Sequence, residues 1–139
     1  MTSVTMTTDN AAPTARRDTI LLLSRVLLAA LFILAGINKL GAMEGTVGYI
    51  SAMGLPLAEL VYFGTVALEI GGGLMLAAGF KARYAAVALG VFSILAAAIF
   101  HSNFADPNEI TAFLKNLSIG GGLFAFALAG PGRFSLDRN

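Results

Sequence analysis

The sequence predicts an all-α integral membrane protein, a bundle of four transmembrane helices, and two observations support that prediction. Hydrophobic residues make up 57% of the chain and charged residues only 12%, which is about half the charged fraction of an ordinary soluble domain. The chain also divides into four apolar stretches, each long enough to cross a hydrocarbon core of about 30 Å. These predicted spans cover about 20–38, 57–80, 84–101 and 111–130.

Two other fold classes are excluded by the same stretches. A soluble four-helix bundle needs a polar face on each helix, but the segment 84–100 has no charged residue on any face. A transmembrane β-barrel needs alternating apolar and polar residues, which runs such as "LLAALFILAG" do not have. Residues 1–18 are rich in Thr, Asn and Ala and show no apolar periodicity. We therefore predict a disordered N-terminal tail over 1–18, followed by a four-span domain over 19–132 and a C-terminal tail over 133–139.

The basic residues predict which way the bundle faces. Two of them, Lys39 and Lys115, lie near the two connections on one side. Six lie on the other side, where both termini must be: Arg16, Arg17, Lys81, Arg83, Arg133 and Arg138. Because cytoplasmic segments carry the Lys and Arg excess, both termini are predicted to be cytoplasmic. Of the external connections, 41–56 is apolar enough to lie at the interface or fold back over the bundle. Asp106-Pro107 is typical of a turn or of a helix start with proline at its first position.

The tripeptide that follows isoleucine in "EIGGGLML" recurs in "SIGGGLFA", at equivalent places in the second and fourth spans. The match favours two repeated helical hairpins, although glycine and leucine are common in any span. Small residues also let helices pack closely in lipid. We expect that role for Gly36, for Gly73 and Ala77, and for the four-residue series at 121, 125 and 129.

An acidic residue inside a span needs a charged partner or a proton. Glu69 lies about twelve residues into the second span, which places it close to the bilayer midplane. Arg25, about five residues into the first span, is the predicted partner. Two interpretations stay open: a buried pair that sets helix register, and a carboxylate that carries protons along a cavity.

A second polar cluster is predicted towards the external side. It combines hydrogen-bond donors and one imidazole from three spans: Lys39, His101, Lys115 and Asn116. These side chains suit the oxygens of a quinone-like or lipid head group. The alternative is that Lys39 reaches to the lipid head groups and that His101 only ends a helix.

The composition also limits the chemistry. The chain has no cysteine and one histidine, so disulfides, iron–sulfur clusters and an intrinsic metal site are not expected. A net charge of +1 with scattered basic residues gives no case for nucleic acid. No intrinsic cofactor is predicted, and a quinone is the one organic ligand that the polar cluster suggests.

Several segments in order resemble the DoxX family of membrane proteins: "LFILAGINKL", "LEIGGGLMLAAGFKAR", "FH" at 100–101, "FLKNL" and "GPGRFSLD". The resemblance covers about 25–137, and its matching positions are Arg25, Gly36, Lys39, Glu69, Gly72, Arg83, His101, Lys115, Asn116 and Gly132. It implies a multi-pass protein of the bacterial inner membrane with a four-helix fold, and an association with oxidoreductase complexes.

Three functions follow as hypotheses. The first is the membrane subunit of a redox complex, with an oxidoreductase partner and a quinone-like ligand site near the external face. The second is a non-enzymatic anchor or scaffold. The third is a small transporter or lipid-binding protein that acts as an oligomer. Whether the chain catalyses a turnover is left open by the sequence.

Overall fold

The protein is a bundle of helices in the computed structural model, which describes residues 11–137. Within that range there is no strand, and four of the helices are long and apolar enough to cross a membrane. The predicted four-span, all-α fold is therefore confirmed. The helices are α1 (Ala11–Leu40), α2 (Met43–Ala52), α3 (Ala58–Ala78), α4 (Ala82–Phe100) and α5 (Pro107–Ala129).

The bundle consists of two helical hairpins. Helix α1 packs against α3, and α4 packs against α5. The hairpins meet through α3 and α4, while α1 and α5 touch only slightly. We call the end with the α1–α2–α3 and α4–α5 connections the loop end, and the opposite end the termini end. The pairing agrees with two hairpins as an architecture, and a duplication of their sequence stays a prediction.

The connections at the loop end follow the sequence closely. The apolar segment after α1 forms the short helix α2, whose Ile50 is buried against Tyr62 and Val66. The connection therefore folds back over the bundle, which is one of the two placements that its sequence predicted. Helix α5 begins with Pro107, and the Asp106 side chain accepts a hydrogen bond of 2.9 Å from the backbone N–H of Asn108. This is the predicted helix start, in which proline occupies a position that has no intrahelical hydrogen bond to lose.

The N-terminal boundary differs from the prediction. Helix α1 is already formed at Ala11, so the predicted disordered tail over 1–18 is wrong for 11–18, and 1–10 lie outside the described residues. Asp18 is buried and accepts a hydrogen bond of 3.1 Å from the backbone N–H of Arg133. Arg17 donates one of 2.9 Å to the carbonyl of Ala129. These turns are polar, so a search for apolar periodicity does not find them, yet they hold the chain ends together.

The C-terminal segment, residues 130–137, is folded onto the termini end. The backbone N–H groups of Leu136 and Asp137 donate to the carbonyls of Ala78 and Gly79. The Asp137 carboxylate accepts hydrogen bonds of 2.6 and 2.9 Å from the backbone N–H groups of Lys81 and Ala82, where α4 begins. This contact caps the orphan donors of the helix N-terminus. The predicted C-terminal tail is therefore packed structure over 133–137, and 138–139 lie outside the described residues.

The two glycine triplets have different roles. In α3, a Cβ on Gly73 would lie 2.8 Å from Ile33 and 3.3 Å from the carbonyl of Ala29, and a Cβ on Gly72 would contact Leu89. In α5, Gly120 is the member against a neighbouring helix, and a Cβ on Gly121 or Gly122 would meet nothing within 4 Å. The packing role is confirmed for Gly73 and Gly36. It is wrong for 121, 125 and 129 within this chain, because that face of α5 is exposed.

This difference predicts that leucine is harmful in one triplet and tolerated in the other. Gly73→Leu has no room between α1 and α3, and overpacking of a close contact costs about 1–3 kcal/mol. We therefore expect a lower unfolding temperature for Gly73→Leu, measured by thermal unfolding in detergent. Gly121→Leu is the matched control and should unfold with the native protein. Equal unfolding temperatures for the two variants would contradict the assigned packing.

Candidate functional site

A cavity of about 440 Å³ lies inside the loop end of the bundle. All five helices contribute to its lining, because α1 and α5 stand apart there while α2 covers the connection side. Its walls are mainly apolar, and its polar side chains come from different helices. The polar lining residues are Lys39, Thr46, Tyr49, Thr65, Glu69, His101, Lys115 and Asn116.

Glu69 is the buried charge of this cavity. Its residue is only 3% exposed, and it lies in a π-helical turn, Leu68–Gly72, within α3. Such turns contain one extra residue and are frequent at functional sites. The turn stands next to the close contact between α1 and α3, since a Cβ on Gly36 would lie 3.3 Å from the Cβ of Glu69. The glycines therefore bring the α3 backbone against α1 where the carboxylate enters the cavity.

The partner of Glu69 is Lys39. The Nζ atom of Lys39 lies 3.0 Å from each carboxylate oxygen, and its hydrogen bond goes to Oε1. Oε2 is buried and accepts no hydrogen bond from the residues that the structure describes. Lys39 is itself held near the end of α1, because the Tyr62 hydroxyl donates a 3.0 Å hydrogen bond to its carbonyl. The pair thus leaves Oε2 in ion-pair contact with Lys39 but without a hydrogen-bond donor among the described residues.

The predicted pair between Glu69 and Arg25 is wrong. Arg25 lies beside Ala77, eight residues after Glu69, which corresponds to about 12 Å along α3. An arginine side chain is too short to cover that distance. The Glu69 carboxylate is also already paired with Lys39. The prediction counted depth from assumed span ends, whereas the register between α1 and α3 is set by the contacts of Gly36 and Gly73.

Arg25 instead holds the termini end together. It is 2% exposed, and its guanidinium donates to three backbone carbonyls, one at the end of α3 and two in the C-terminal segment. Nε donates to Ala77 at 3.2 Å, Nη1 to Pro131 at 2.8 Å and Nη2 to Phe134. The carbonyls at a helix end and in the following segment have no partner within the helix, so this arginine satisfies them.

The four predicted ligand-binding residues, Lys39, His101, Lys115 and Asn116, all line the cavity. Nδ1 of His101 lies 3.0 Å from the Glu109 carboxylate. The amide of Asn116 donates a 3.0 Å hydrogen bond to the carbonyl of Ala112, which leaves its oxygen and second N–H available. Lys115 has no carboxylate within ion-pair distance among residues 14–137. Their common location is a structural fact, and ligand binding by them stays a prediction.

Sequence analysis did not find three of the polar lining residues, Thr46, Tyr49 and Thr65. The Tyr49 hydroxyl donates a 3.2 Å hydrogen bond to the carbonyl of Phe100, and the two rings lie 5.5 Å apart. These contacts fix α2 against the end of α4. The only sequence signal was the apolar character of the connection, which predicts that it folds back without indicating which side chain faces inwards.

The cavity combines N–H donors with one carboxylate oxygen that lacks a hydrogen bond, within walls that are apolar and partly aromatic. Lys39, Lys115 and Asn116 offer N–H groups, and Oε2 of Glu69 offers an acceptor. Phe32, Phe92 and Phe100 form part of the apolar wall. No cluster of three or more metal-ligating side chains is present in the part of the chain that the structure describes. The site therefore suits an organic molecule that carries oxygen atoms on an apolar ring or chain.

Comparison with known proteins identifies the relatives of this chain. The family model for DoxX matches residues 20–102, a range that includes Lys39, Glu69 and His101. The inner membrane protein YqjF of Escherichia coli K12 is 42% identical over 123 residues, covering 87% of this chain and 92% of that protein. The inner membrane protein YphA of the same organism is 34% identical over 131 residues, covering 89% and 92%. No solved structure gives a significant match.

Proposed function

This chain belongs to the DoxX family of multi-pass inner membrane proteins, and we propose that it binds the head group of a quinone-like lipid in the cavity at its loop end. The observation that supports the proposal is the buried Oε2 of Glu69, which accepts no hydrogen bond from the described residues. A carboxylate this deeply buried is costly unless its hydrogen bonds are made. A ligand that donates to Oε2 of Glu69 completes the pair with Lys39.

The chemistry of a quinone fits the inventory of the cavity. A quinone ring carries two carbonyl oxygens, which accept hydrogen bonds, and its reduced form carries two hydroxyl groups, which donate them. Lys115 and Asn116 supply donors on the α5 side. Glu69 supplies the acceptor on the α3 side. Phe92 and Phe100 give the ring an apolar, aromatic wall.

In a redox role the chain would be the membrane subunit of a larger complex. Reduction of a quinone to a quinol takes two electrons and two protons. The chain contains no cysteine and a single histidine, so the electrons are proposed to come from an oxidoreductase partner. The protons are proposed to exchange at Glu69, whose charge partner in this role is Lys39 and not Arg25.

The test is retention of quinone by the purified protein. Lys115→Met keeps the apolar stem of the side chain and removes its ammonium group, which has no carboxylate partner among the described residues. Because hydrogen bonds to a charged donor contribute about 1.5–3 kcal/mol, we expect a loss of affinity of about tenfold or more. The protein would be isolated from its own membranes in mild detergent, and bound quinone would be extracted and quantified per chain.

Lys81→Met is the matched control, because Lys81 is an exposed lysine at the termini end. It should retain quinone at the native level. Native protein that carries no quinone, and a partner protein that co-purifies equally with both variants, would contradict the proposal and favour the scaffold hypothesis. A bound phospholipid in place of quinone would favour the lipid-binding or transport hypothesis.

A further inference from the structure

A second depression, an apolar groove of about 540 Å³, runs between α1 and α5. It exists because these two helices touch only slightly. Ser24 is its one hydroxyl side chain, and small residues form most of its α5 side. The lining residues are Leu21, Ser24, Leu27, Leu28 and Leu31 from α1, and Gly122, Ala125, Phe126 and Ala129 from α5.

The groove adjoins the cavity at Leu31. This residue lines both depressions and is 44% exposed. From Leu31 the groove follows α1 to Leu21, which is ten residues or about 15 Å of helix. The cavity at the loop end thus borders, at Leu31, an apolar surface groove that runs towards the termini end.

Two other sides of the cavity are closed by contacts between helices. The α2 side is held by the buried Ile50 and by the hydrogen bond from Tyr49 to the carbonyl of Phe100. The α3 and α4 helices are in close contact where Gly72 meets Leu89. The opening at the loop end is lined by the charged Lys39, whose side chain is 29% exposed, so the apolar way out for a long chain attached to a head group in the cavity lies between α1 and α5.

We propose that this groove holds the apolar tail of the lipid whose head group lies in the cavity, so that the ligand class is a long-chain amphipathic quinone. The inference rests on the proposed function. An apolar tail gains little free energy by moving from lipid into the groove. The contribution of the groove is therefore steric: it gives the tail a path that the head-group position requires.

A side chain that fills the groove tests this proposal. Gly122→Leu places a leucine in the groove without a clash inside the bundle, since a Cβ there meets nothing within 4 Å. Gly121→Leu is the matched control, because Gly121 is equally open but does not line the groove. The probes are ubiquinone with one isoprene unit and ubiquinone with eight. Binding would be measured as the rise in unfolding temperature of protein in phospholipid nanodiscs.

We expect both probes to stabilise the native protein and Gly121→Leu. Gly122→Leu should keep its response to the one-isoprene probe and lose at least fivefold in affinity for the eight-isoprene probe. An undiminished response of Gly122→Leu to both probes would overturn the tail groove while leaving the head-group site standing. Native protein that responds to neither probe would overturn the proposed function itself. A changed oligomeric state in Gly122→Leu alone, with both responses intact, would overturn the inference in favour of a protein interface.

Discussion

Replacing Arg25 with methionine is expected to lower the free energy of unfolding by about 3–5 kcal/mol. Arg25 is almost fully buried, and its guanidinium serves carbonyls of α3 and of the C-terminal segment. Methionine fills a similar volume but leaves those carbonyls without a donor. Unsatisfied acceptors that water does not reach carry their full desolvation cost. The measurement is thermal or denaturant unfolding in detergent.

A second readout follows the C-terminal segment directly. Trypsin cleaves after Arg133, whose backbone N–H is hydrogen-bonded to buried Asp18. If Arg25 holds this segment, Arg25→Met should speed cleavage there, as measured by mass spectrometry. Arg25→Lys keeps the charge but not the forked geometry, so we expect an intermediate loss of stability.

The control is a surface arginine with the same kind of hydrogen bond. Arg83 donates to the carbonyls of Ala127 and Leu128 at 3.1 and 3.2 Å, and its side chain is exposed. Water replaces the lost donor there, so Arg83→Met should cost less than about 1 kcal/mol. Equal losses for Arg25→Met and Arg83→Met would refute a special role for the buried residue.

The behaviour of these arginines explains part of the charge pattern along the chain. Arg17 and Arg83 both donate to carbonyls in the last turn of α5, where positive charge also favours the helix dipole. The basic residues on one side of the bundle were used to predict orientation. In the structure Arg17 and Arg83 also donate hydrogen bonds to carbonyl groups at a helix end, so the same residues stabilise the fold.

The span count was predictable because it depends on local composition, and the helix start at Asp106-Pro107 because it depends on two adjacent residues. The partner of Glu69 was not, because it depends on the register between α1 and α3. That register is set by the tight contacts of Gly36 and Gly73, which a sequence presents only as glycines among many. The lining residues 39, 101, 115 and 116 were found by their polarity near span ends, whereas Tyr49 needed the path of α2.

The second large effect is expected at the Lys39–Glu69 pair. Lys39→Met removes the partner of a carboxylate that is nearly fully buried, and breaking a buried pair from one side costs about 3–5 kcal/mol. Glu69→Gln removes the buried charge instead. The Lys39 side chain is 29% exposed, so its ammonium group has access to the loop end and can reach solvent there. We therefore expect Glu69→Gln to cost only about 1 kcal/mol, a typical net value for a hydrogen bond.

A double-mutant cycle separates the pair from its two members. Because glutamine removes the charge that Lys39→Met leaves uncompensated, the double variant should be more stable than Lys39→Met alone, with a coupling of about 2 kcal/mol, within the range that contacting residues show. Unfolding of all four proteins in the same detergent gives the coupling. The pair of His101 and Glu109, in which both side chains are partly exposed, at 28% and 29%, is the comparison, and its coupling should stay below about 1 kcal/mol. A Lys39→Met variant as stable as Glu69→Gln would mean that the Glu69 carboxylate finds another donor in the cavity. Lys115 would then be the residue to replace next, because it lines the cavity and has no carboxylate partner among the described residues.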